Sequence, residues 1–159
     1  MANDLAPAAP TRSVTAVTTK DRLTSDPAFQ AFWLLRIGFT VAPIAFGIDK
    51  YFHVLTNWDL YFAPRLDRIV PGTAHQAMYV VGAVEIVAGL VVLLAPCFGG
   101  NLVALWLLGI IVNLLLIPGF YDVALRDFGL LLAALTLARL ATAFPADAAP
   151  FALVRYRSQ

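Results

Sequence analysis

Long apolar segments, separated by short stretches rich in glycine, proline and charged residues, make up most of the chain. A helix needs roughly 20 residues to cross the hydrocarbon layer of a membrane, and each segment approaches that length. The pattern therefore predicts an all-α protein, a bundle of four transmembrane helices. The segments span about 32–52, 74–94, 102–117 and 123–144.

Two helix starts carry clear residue signals. Asp26 followed by Pro27 is typical of an N-cap and a first helical position, where the missing N–H of proline costs nothing. Thr73 and Gln76 have the spacing of a capping box, in which each side chain accepts a hydrogen bond from the other residue's backbone. These signals predict that the first helix begins near residue 27 and the second near residue 74.

The ends of the later segments carry proline, glycine and small polar residues. Pro96 and Gly99 predict the end of the second helix, and Asn101 is the predicted cap of the third. Pro118 predicts the end of the third helix, and Asp122 is the predicted cap of the fourth. The connections between these helices should therefore be short.

The helical segments form one predicted domain over residues 26–145. Residues 1–25 mix prolines, threonines and charges without an apolar period, which predicts a disordered tail. Residues 146–159 form a short second tail. The first 28 residues lack an apolar core segment, so we expect targeting to depend on the first membrane helix.

A long loop, about 53–72, joins the first two helices and contains several aromatic residues. Such a loop is expected to lie in the membrane interface or to fold back over the bundle. Trp58 and Tyr61 can stack on a quinone ring or simply anchor the loop. His53 and His75 can ligate a haem or metal together, although hydrogen bonding alone accounts for them. We predict no metal site here.

Composition supports a membrane protein. Hydrophobic residues make up 60% of the chain and charged residues only 13%, about half the share of an ordinary soluble domain. The net charge of +1 gives no basic patch for nucleic acid. The one cysteine, Cys97, excludes a disulfide within this sequence and a Cys-x-x-Cys redox pair.

Four spans would place both termini on one side of the membrane. Slightly more lysine and arginine residues lie on the terminal side than on the loop side, which predicts cytoplasmic termini. We expect a bacterial inner (cytoplasmic) membrane protein. The basic residues of the tails are Arg12, Lys20, Arg22, Arg155 and Arg157, against Lys50, Arg65, Arg68 and Arg126 on the loop side.

Glu85 is a carboxylate in the middle of the second apolar segment. Insertion scales put the cost of a charge at that depth at roughly 2.5–3.5 kcal/mol, so it needs a partner, a proton or water. Gly82 and Gly89 share its helical face, which suits close helix contact better than lipid. Each predicted helix offers such a face. The polar-core and ligand-binding candidates are Arg36, Asp49, Lys50, Glu85, Asn113, Asp122, Arg126 and Asp127.

The partner of Glu85 is open among Lys50, Arg126 and Arg36 at this stage. Helical rise leaves Arg36 roughly 10 Å short of Glu85 along the membrane normal. Asp122 and Arg126, spaced i and i+4, can pair on one helix. The cluster can lock helix register, bind a ligand or protons, or contact a partner subunit.

Four sequence stretches resemble the DoxX-like family over about residues 32–144. The resemblance implies a small four-helix membrane protein. Some members of that family are tied to quinone-linked sulfur oxidation and others to oxidative-stress complexes. The stretches are Arg36-Ile-Gly, Gly-Ile-Asp-Lys50, Val-Glu85-Ile-Val-Ala-Gly-Leu and Tyr121-Asp-Val-Ala-Leu-Arg-Asp127.

Three functional hypotheses follow. The first is an accessory or anchoring subunit of a larger redox or respiratory membrane assembly, without chemistry of its own; other membrane subunits, or copies of this chain, would be its partners. The second is a quinone-coupled oxidoreductase subunit that uses the charged cluster, with electrons from another chain. The third is a small-molecule or proton carrier. No cofactor is evident from the residues, and quinone is the possible one.

Overall fold

The computed structural model describes residues 19–67 and 71–148, and within them the protein is helical, with no β-strand. The all-α prediction is confirmed for this part of the chain. A short 3₁₀ helix, Trp58–Tyr61, lies in the long loop. The α-helices are α1 (Thr19–Ser25), α2 (Pro27–Phe52), α3 (Pro64–Asp67), α4 (Ala74–Leu94), α5 (Pro96–Leu115), α6 (Tyr121–Ala143) and α7 (Pro145–Ala148).

Three of the helices are long and apolar enough to cross a membrane: α2, α4 and α5. Their length and composition indicate a lipid bilayer as the environment of the protein. Helix α6 has 23 residues, the length of a span, but it carries more charged side chains than any of those three helices. The predicted fourth segment is therefore a helix in the structure.

The predicted starts of the first two long helices are confirmed. Asp26 Oδ1 accepts hydrogen bonds from the backbone N–H groups of Ala28 and Phe29, at 2.9 and 3.2 Å. Thr73 and Gln76 form the capping box, with each side chain bonded to the other residue's N–H. Both signals are local, so the chain needs no tertiary contact to start these helices there.

The predicted start of the third helix, residue 102, is wrong by nearly two turns. Helix α5 begins at Pro96, because proline is as compatible with a first helical position as with a stop. Gly99 lies inside this helix, where an added Cβ would stand 2.6 Å from Val92 Cα, so it permits close contact with α4. Asn101 does not cap the helix; its Nδ2 donates to Cys97 O at 2.8 Å.

Two further expectations differ from the structure. Helix α6 begins at Tyr121 with no side-chain cap, so Asp122 lies in its first turn and is exposed. Part of the tail predicted as disordered is helical, since α1 covers Thr19–Ser25. Residues 1–18 and 149–159 lie outside the described residues.

The long helices pack as two hairpins. Helix α2 makes its main contacts with α4, and α5 with α6, while α4–α5 and α2–α6 contacts join the two pairs. A core of small and apolar side chains fills one end of the bundle, where α7 also packs. Its buried residues are Phe32, Phe39, Ala88, Val92, Val103, Ala104, Leu107, Ala134, Leu137 and Ala141.

Two glycines set the distance between α2 and α4. A Cβ added to Gly47 would stand 2.6 Å from the carbonyl oxygen of Gly82, and one added to Gly82 would stand 2.7 Å from the carbonyl oxygen of Gly47. The backbones therefore touch at this crossing, as small residues allow in membrane helices. Lys50 and Glu85 lie one turn further along each helix, on the same contact.

Gly47→Ala is therefore expected to lower the free energy of unfolding by about 1–3 kcal/mol, because the new methyl group forces two backbones apart. Gly129→Ala on α6 is the matched control. A Cβ there has no heavy atom within 4 Å, so the variant should be unchanged or up to about 1 kcal/mol more stable from helix propensity. Denaturant titration in detergent measures both. Equal effects at the two positions would show that the crossing is not limited by backbone contact.

Candidate functional site

Lys50 and Glu85 form a buried ion pair between α2 and α4. Lys50 Nζ donates to Glu85 Oε2 at 2.7 Å, and the two side chains are only 4% and 11% exposed. Gly82 makes the pair possible, since a Cβ there would stand 3.2 Å from Lys50 Cβ. Of the three cations that the sequence leaves open, Lys50 is the partner of Glu85.

The loop after α2 contributes an aromatic ring to this pair. Lys50 Nζ lies 3.9 Å from the centroid of the Trp58 ring, a cation–π contact. The indole Nε1 of Trp58 donates to Asp49 Oδ2 at 2.7 Å. The ammonium group is therefore held between a carboxylate on α4 and an indole on the loop.

Asp49 binds the loop rather than a cation. Its carboxylate also accepts from the backbone N–H groups of Val54 and Leu55, both at 3.1 Å to Oδ1. The side chain is buried at the C-terminal end of α2. Its negative charge is satisfied by three donors of the loop, so Asp49 fixes the loop's path over the ion pair.

Asn113 fixes the other half of the same loop. Its Nδ2 donates to the Tyr61 carbonyl at 2.6 Å, and its Oδ1 accepts from the Ala63 N–H at 2.9 Å. Asn113 lies on α5, in the second hairpin. The loop is therefore bonded to both hairpins, by Asp49 on one side and by Asn113 on the other.

A cleft of about 800 Å³ opens between the hairpins beneath this loop. The Lys50–Glu85 pair, Asn113 and the loop aromatics Trp58 and Tyr61 line it. A second, apolar cavity of about 340 Å³ adjoins it and shares seven lining residues. The shared residues are Ala42, Phe46, Glu85, Trp106, Leu107, Ile110 and Leu130.

The fourth long helix adds a second charge pair to the cleft. Arg126 Nε lies 3.3 Å from Asp127 Oδ1, and both residues line the cleft. The Arg126 side chain is 68% exposed, whereas that of Asp127 is 9% exposed. Arg126 contacts Asp127 and not Asp122, which is exposed and lies outside the cleft lining.

Arg36 lies at the other end of the bundle. Its Nη2 donates to the Leu93 carbonyl at 2.6 Å, and its Nη1 to the Asp147 carbonyl at 2.5 Å. The guanidinium also lies over the Trp33 ring, 5.0 Å from its centroid. Arg36 therefore satisfies carbonyl groups at helix ends, and it is not part of the cluster around Glu85.

The two histidines meet at the membrane face that bears the loop. Their rings stack with centroids 5.2 Å apart and an angle of 14° between the planes. His75 Nδ1 lies 3.2 Å from Asp59 Oδ2, and His75 Nε2 lies 2.9 Å from the Tyr79 hydroxyl. Asp59 and Tyr79 join this group although neither was among the sequence candidates.

Trp106 is a further residue of the site; it lies on the predicted small and polar face of the third helix but was not among the candidates. It lines both cavities, and its indole N–H is buried with no acceptor among the described residues. The signal that points to it is its spacing, since it lies two turns before Asn113 on the same helical face.

The cleft is balanced in charge. Two cations and two carboxylates line it, and each cation contacts a carboxylate. A charged ligand would have to displace one member of a pair, whereas a neutral molecule would not. Most of the remaining lining is apolar or aromatic. The lining therefore suits a neutral, largely apolar molecule better than a charged one.

Comparison with known proteins gives no match to a family model, to a curated protein or to a solved structure.

Proposed function

We propose that this chain is a DoxX-like four-helix membrane protein that binds a neutral amphipathic molecule, of the isoprenoid quinone class, within a membrane redox assembly. The observation that carries this proposal is the cleft itself. A charge-balanced polar end, lined by Lys50, Glu85 and Asn113, continues into an apolar cavity. A quinone has the same division, with a carbonyl-bearing ring and a hydrocarbon tail.

The proposal includes α6 as the fourth membrane span. Its length of 23 residues is sufficient to cross the hydrocarbon layer. Arg126 and Asp127 line the cleft, and Asp122 lies in the first turn of the helix. Charges in such positions face protein or the membrane surface, which is how membrane helices accommodate them.

The polar end offers several groups to a quinone ring. Trp58 and Tyr61 supply aromatic faces, and the Lys50 ammonium has N–H groups besides the one bonded to Glu85. Glu85 and Asp127 are the two carboxylates on the cleft wall, and they are the groups through which protons of a reduced quinone would pass. Another subunit of the assembly supplies the electrons.

We place the protein in a bacterial cytoplasmic membrane, with cytoplasmic termini. The support is the slight excess of arginine and lysine on the terminal side of the sequence. In this arrangement the loop-bearing face, with the polar end of the cleft beneath it, is turned away from the cytoplasm.

Gly109→Leu tests the proposal by filling the cleft. Gly109 lines the cleft, and an added Cβ has no heavy atom within 4 Å. The variant should fold normally, with a helix-propensity gain of up to about 1 kcal/mol. We expect it to retain less than about a tenth of the wild-type quinone, a difference of about 1.4 kcal/mol in binding free energy. Quinone per chain is measured in solvent extracts of protein purified in mild detergent.

Gly129→Leu is the matched control, because it is an equally open helical glycine that does not line the cleft. It should keep the wild-type quinone content. Equal quinone in both variants would contradict the proposal. If no preparation contains quinone but partner subunits copurify in fixed ratio, the anchoring hypothesis is favoured; proton or solute flux in proteoliposomes of the chain alone would favour a carrier.

A further inference from the structure

His53, Asp59 and His75 form a compact group of possible metal ligands. One ligand atom from each lies within 4.8 Å of the others. They come from three separate elements: His53 ends α2, Asp59 lies in the 3₁₀ helix, and His75 lies in the first turn of α4. We propose that these three residues bind a divalent transition-metal ion such as Zn²⁺ at the membrane surface.

The distances fit ligands of one ion after a small contraction. Imidazole and carboxylate ligands lie about 2.0–2.2 Å from Zn²⁺ in a tetrahedral arrangement, so two ligand atoms of one ion are about 3.3–3.6 Å apart. His75 Nδ1 and Asp59 Oδ2 are already 3.2 Å apart. His53 has to approach the other two by up to about 1.5 Å, which a side-chain rotation can supply.

A second group orients the His75 ring. The Tyr79 hydroxyl lies 2.9 Å from His75 Nε2 and can accept its N–H, which leaves Nδ1 free for a metal beside Asp59. Tyr79 is itself held, because its ring stacks on Tyr51 at 5.0 Å and its carbonyl accepts from the Tyr51 hydroxyl at 2.8 Å. Metal-binding histidines commonly have such an outer partner.

His53 distinguishes a metal site from a simple His75–Asp59 hydrogen bond. Its Nε2 is buried and has no hydrogen-bond partner among the described residues. Its left-handed backbone, with φ of 53° and ψ of 40°, belongs to the C-terminal cap of α2, since its N–H donates to the Asp49 carbonyl. A hydrogen bond between His75 and Asp59 leaves the His53 ring without a polar partner, whereas a shared metal ion would use it.

Two imidazoles and one carboxylate select the class of ion. This set binds Zn²⁺, Fe²⁺ or Co²⁺ and leaves coordination positions for water, whereas Mg²⁺ and Ca²⁺ prefer oxygen ligands alone. The His75 and Asp59 side chains are 47% and 35% exposed, so the ion can enter from solution. Binding would join the end of α2, the loop and the start of α4 through one ion.

Cobalt is the probe, because Co²⁺ replaces Zn²⁺ and absorbs visible light. Untagged, EDTA-treated protein in detergent is titrated with Co²⁺ and then with Zn²⁺. We expect one Co²⁺ per chain, with visible bands that Zn²⁺ abolishes. His53→Asn, Asp59→Asn and His75→Gln should each weaken Co²⁺ binding by about tenfold or more, since even loss of an outer partner costs roughly 10–100-fold. Asparagine tolerates the left-handed backbone at position 53.

Tyr79→Phe and Asp147→Asn complete the set. Tyr79→Phe removes only the outer hydroxyl and should weaken binding by roughly tenfold. Asp147→Asn changes a carboxylate at the other end of the bundle, near Arg36, and should leave the titration unchanged. The proposal is overturned if wild type shows no saturable Co²⁺ binding, or if the three ligand variants bind as wild type does. Quinone content does not enter these readouts, so the two proposals fail separately.

Discussion

Glu85→Gln is expected to lower the free energy of unfolding by about 3–5 kcal/mol, the cost of breaking a buried ion pair from one side. The Lys50 ammonium would remain 4% exposed, with an amide in place of its carboxylate partner. Its cation–π contact with Trp58 would persist but cannot replace the lost charge. Denaturant titration of the purified protein in detergent measures the loss.

Two control variants distinguish the loss of the ion pair from other effects of substituting Glu85. Adding Lys50→Met to Glu85→Gln should restore most of the stability, because replacing both members of a buried pair is often neutral. Asp127→Asn should cost less than about 1 kcal/mol, because its partner Arg126 is 68% exposed and the two charges are not buried together. A Glu85→Gln protein as stable as wild type would show that the carboxylate is not a structural centre of the fold.

Asp49→Ala is expected to release the loop while the helices stay folded. The carboxylate accepts bonds from Val54, Leu55 and Trp58, and bonds to a charged group contribute roughly 1.5–3 kcal/mol each. Water replaces part of these hydrogen bonds when the loop opens. We therefore expect the free energy of local opening to fall by about 2–3 kcal/mol. Amide hydrogen exchange over residues 54–62 should accelerate by roughly 30- to 150-fold.

Asp122→Asn is the matched control for this experiment. Asp122 is an exposed aspartate in the first turn of α6. The Asp122→Asn variant should leave amide hydrogen exchange in the loop unchanged. If Asp49→Ala exchanges in the loop as slowly as wild type, the carboxylate does not hold the loop.

The sequence predicted correctly those features that depend on residues close together in the chain. The Asp26 cap and the Thr73–Gln76 box depend on residues within one turn, and both form as expected. The apolar lengths predicted helices that can span a bilayer, and α2, α4 and α5 have that length and composition. Pro96 was misassigned because proline suits a helix start as well as a stop.

Which residues line the cleft could not be predicted from the hydrophobic pattern of a single sequence. Lys50 could be chosen over Arg126 only by knowing which helix packs on which, and at what distance. That distance follows from the backbone contact of Gly47 and Gly82. Helical rise did indicate that Arg36 lies far along the membrane normal, and the structure places it at the other end of the bundle.

The roles of Asp49 and Asn113 could not be read from their positions. Both looked like polar residues available to a ligand, yet their hydrogen bonds go largely to the loop. The path of a loop is set by tertiary contacts, and no periodicity in the sequence encodes it. Asp59 was missed for the same reason, since only the folded loop brings it beside His75.

The hydrogen bonds of the loop also decide where the bundle can part. Loop residues 54–63 work as a strap: Val54 bonds to Asp49 on the first hairpin, and Ala63 bonds to Asn113 on the second. Separating the hairpins at that face requires breaking those bonds. Beyond the strap, the cavity beside Gly38 has an apolar wall and no such fastening among its lining residues. If the cleft binds a lipid-soluble molecule, the apolar cavity is the part of the site that such a molecule can reach without breaking the bonds of the strap.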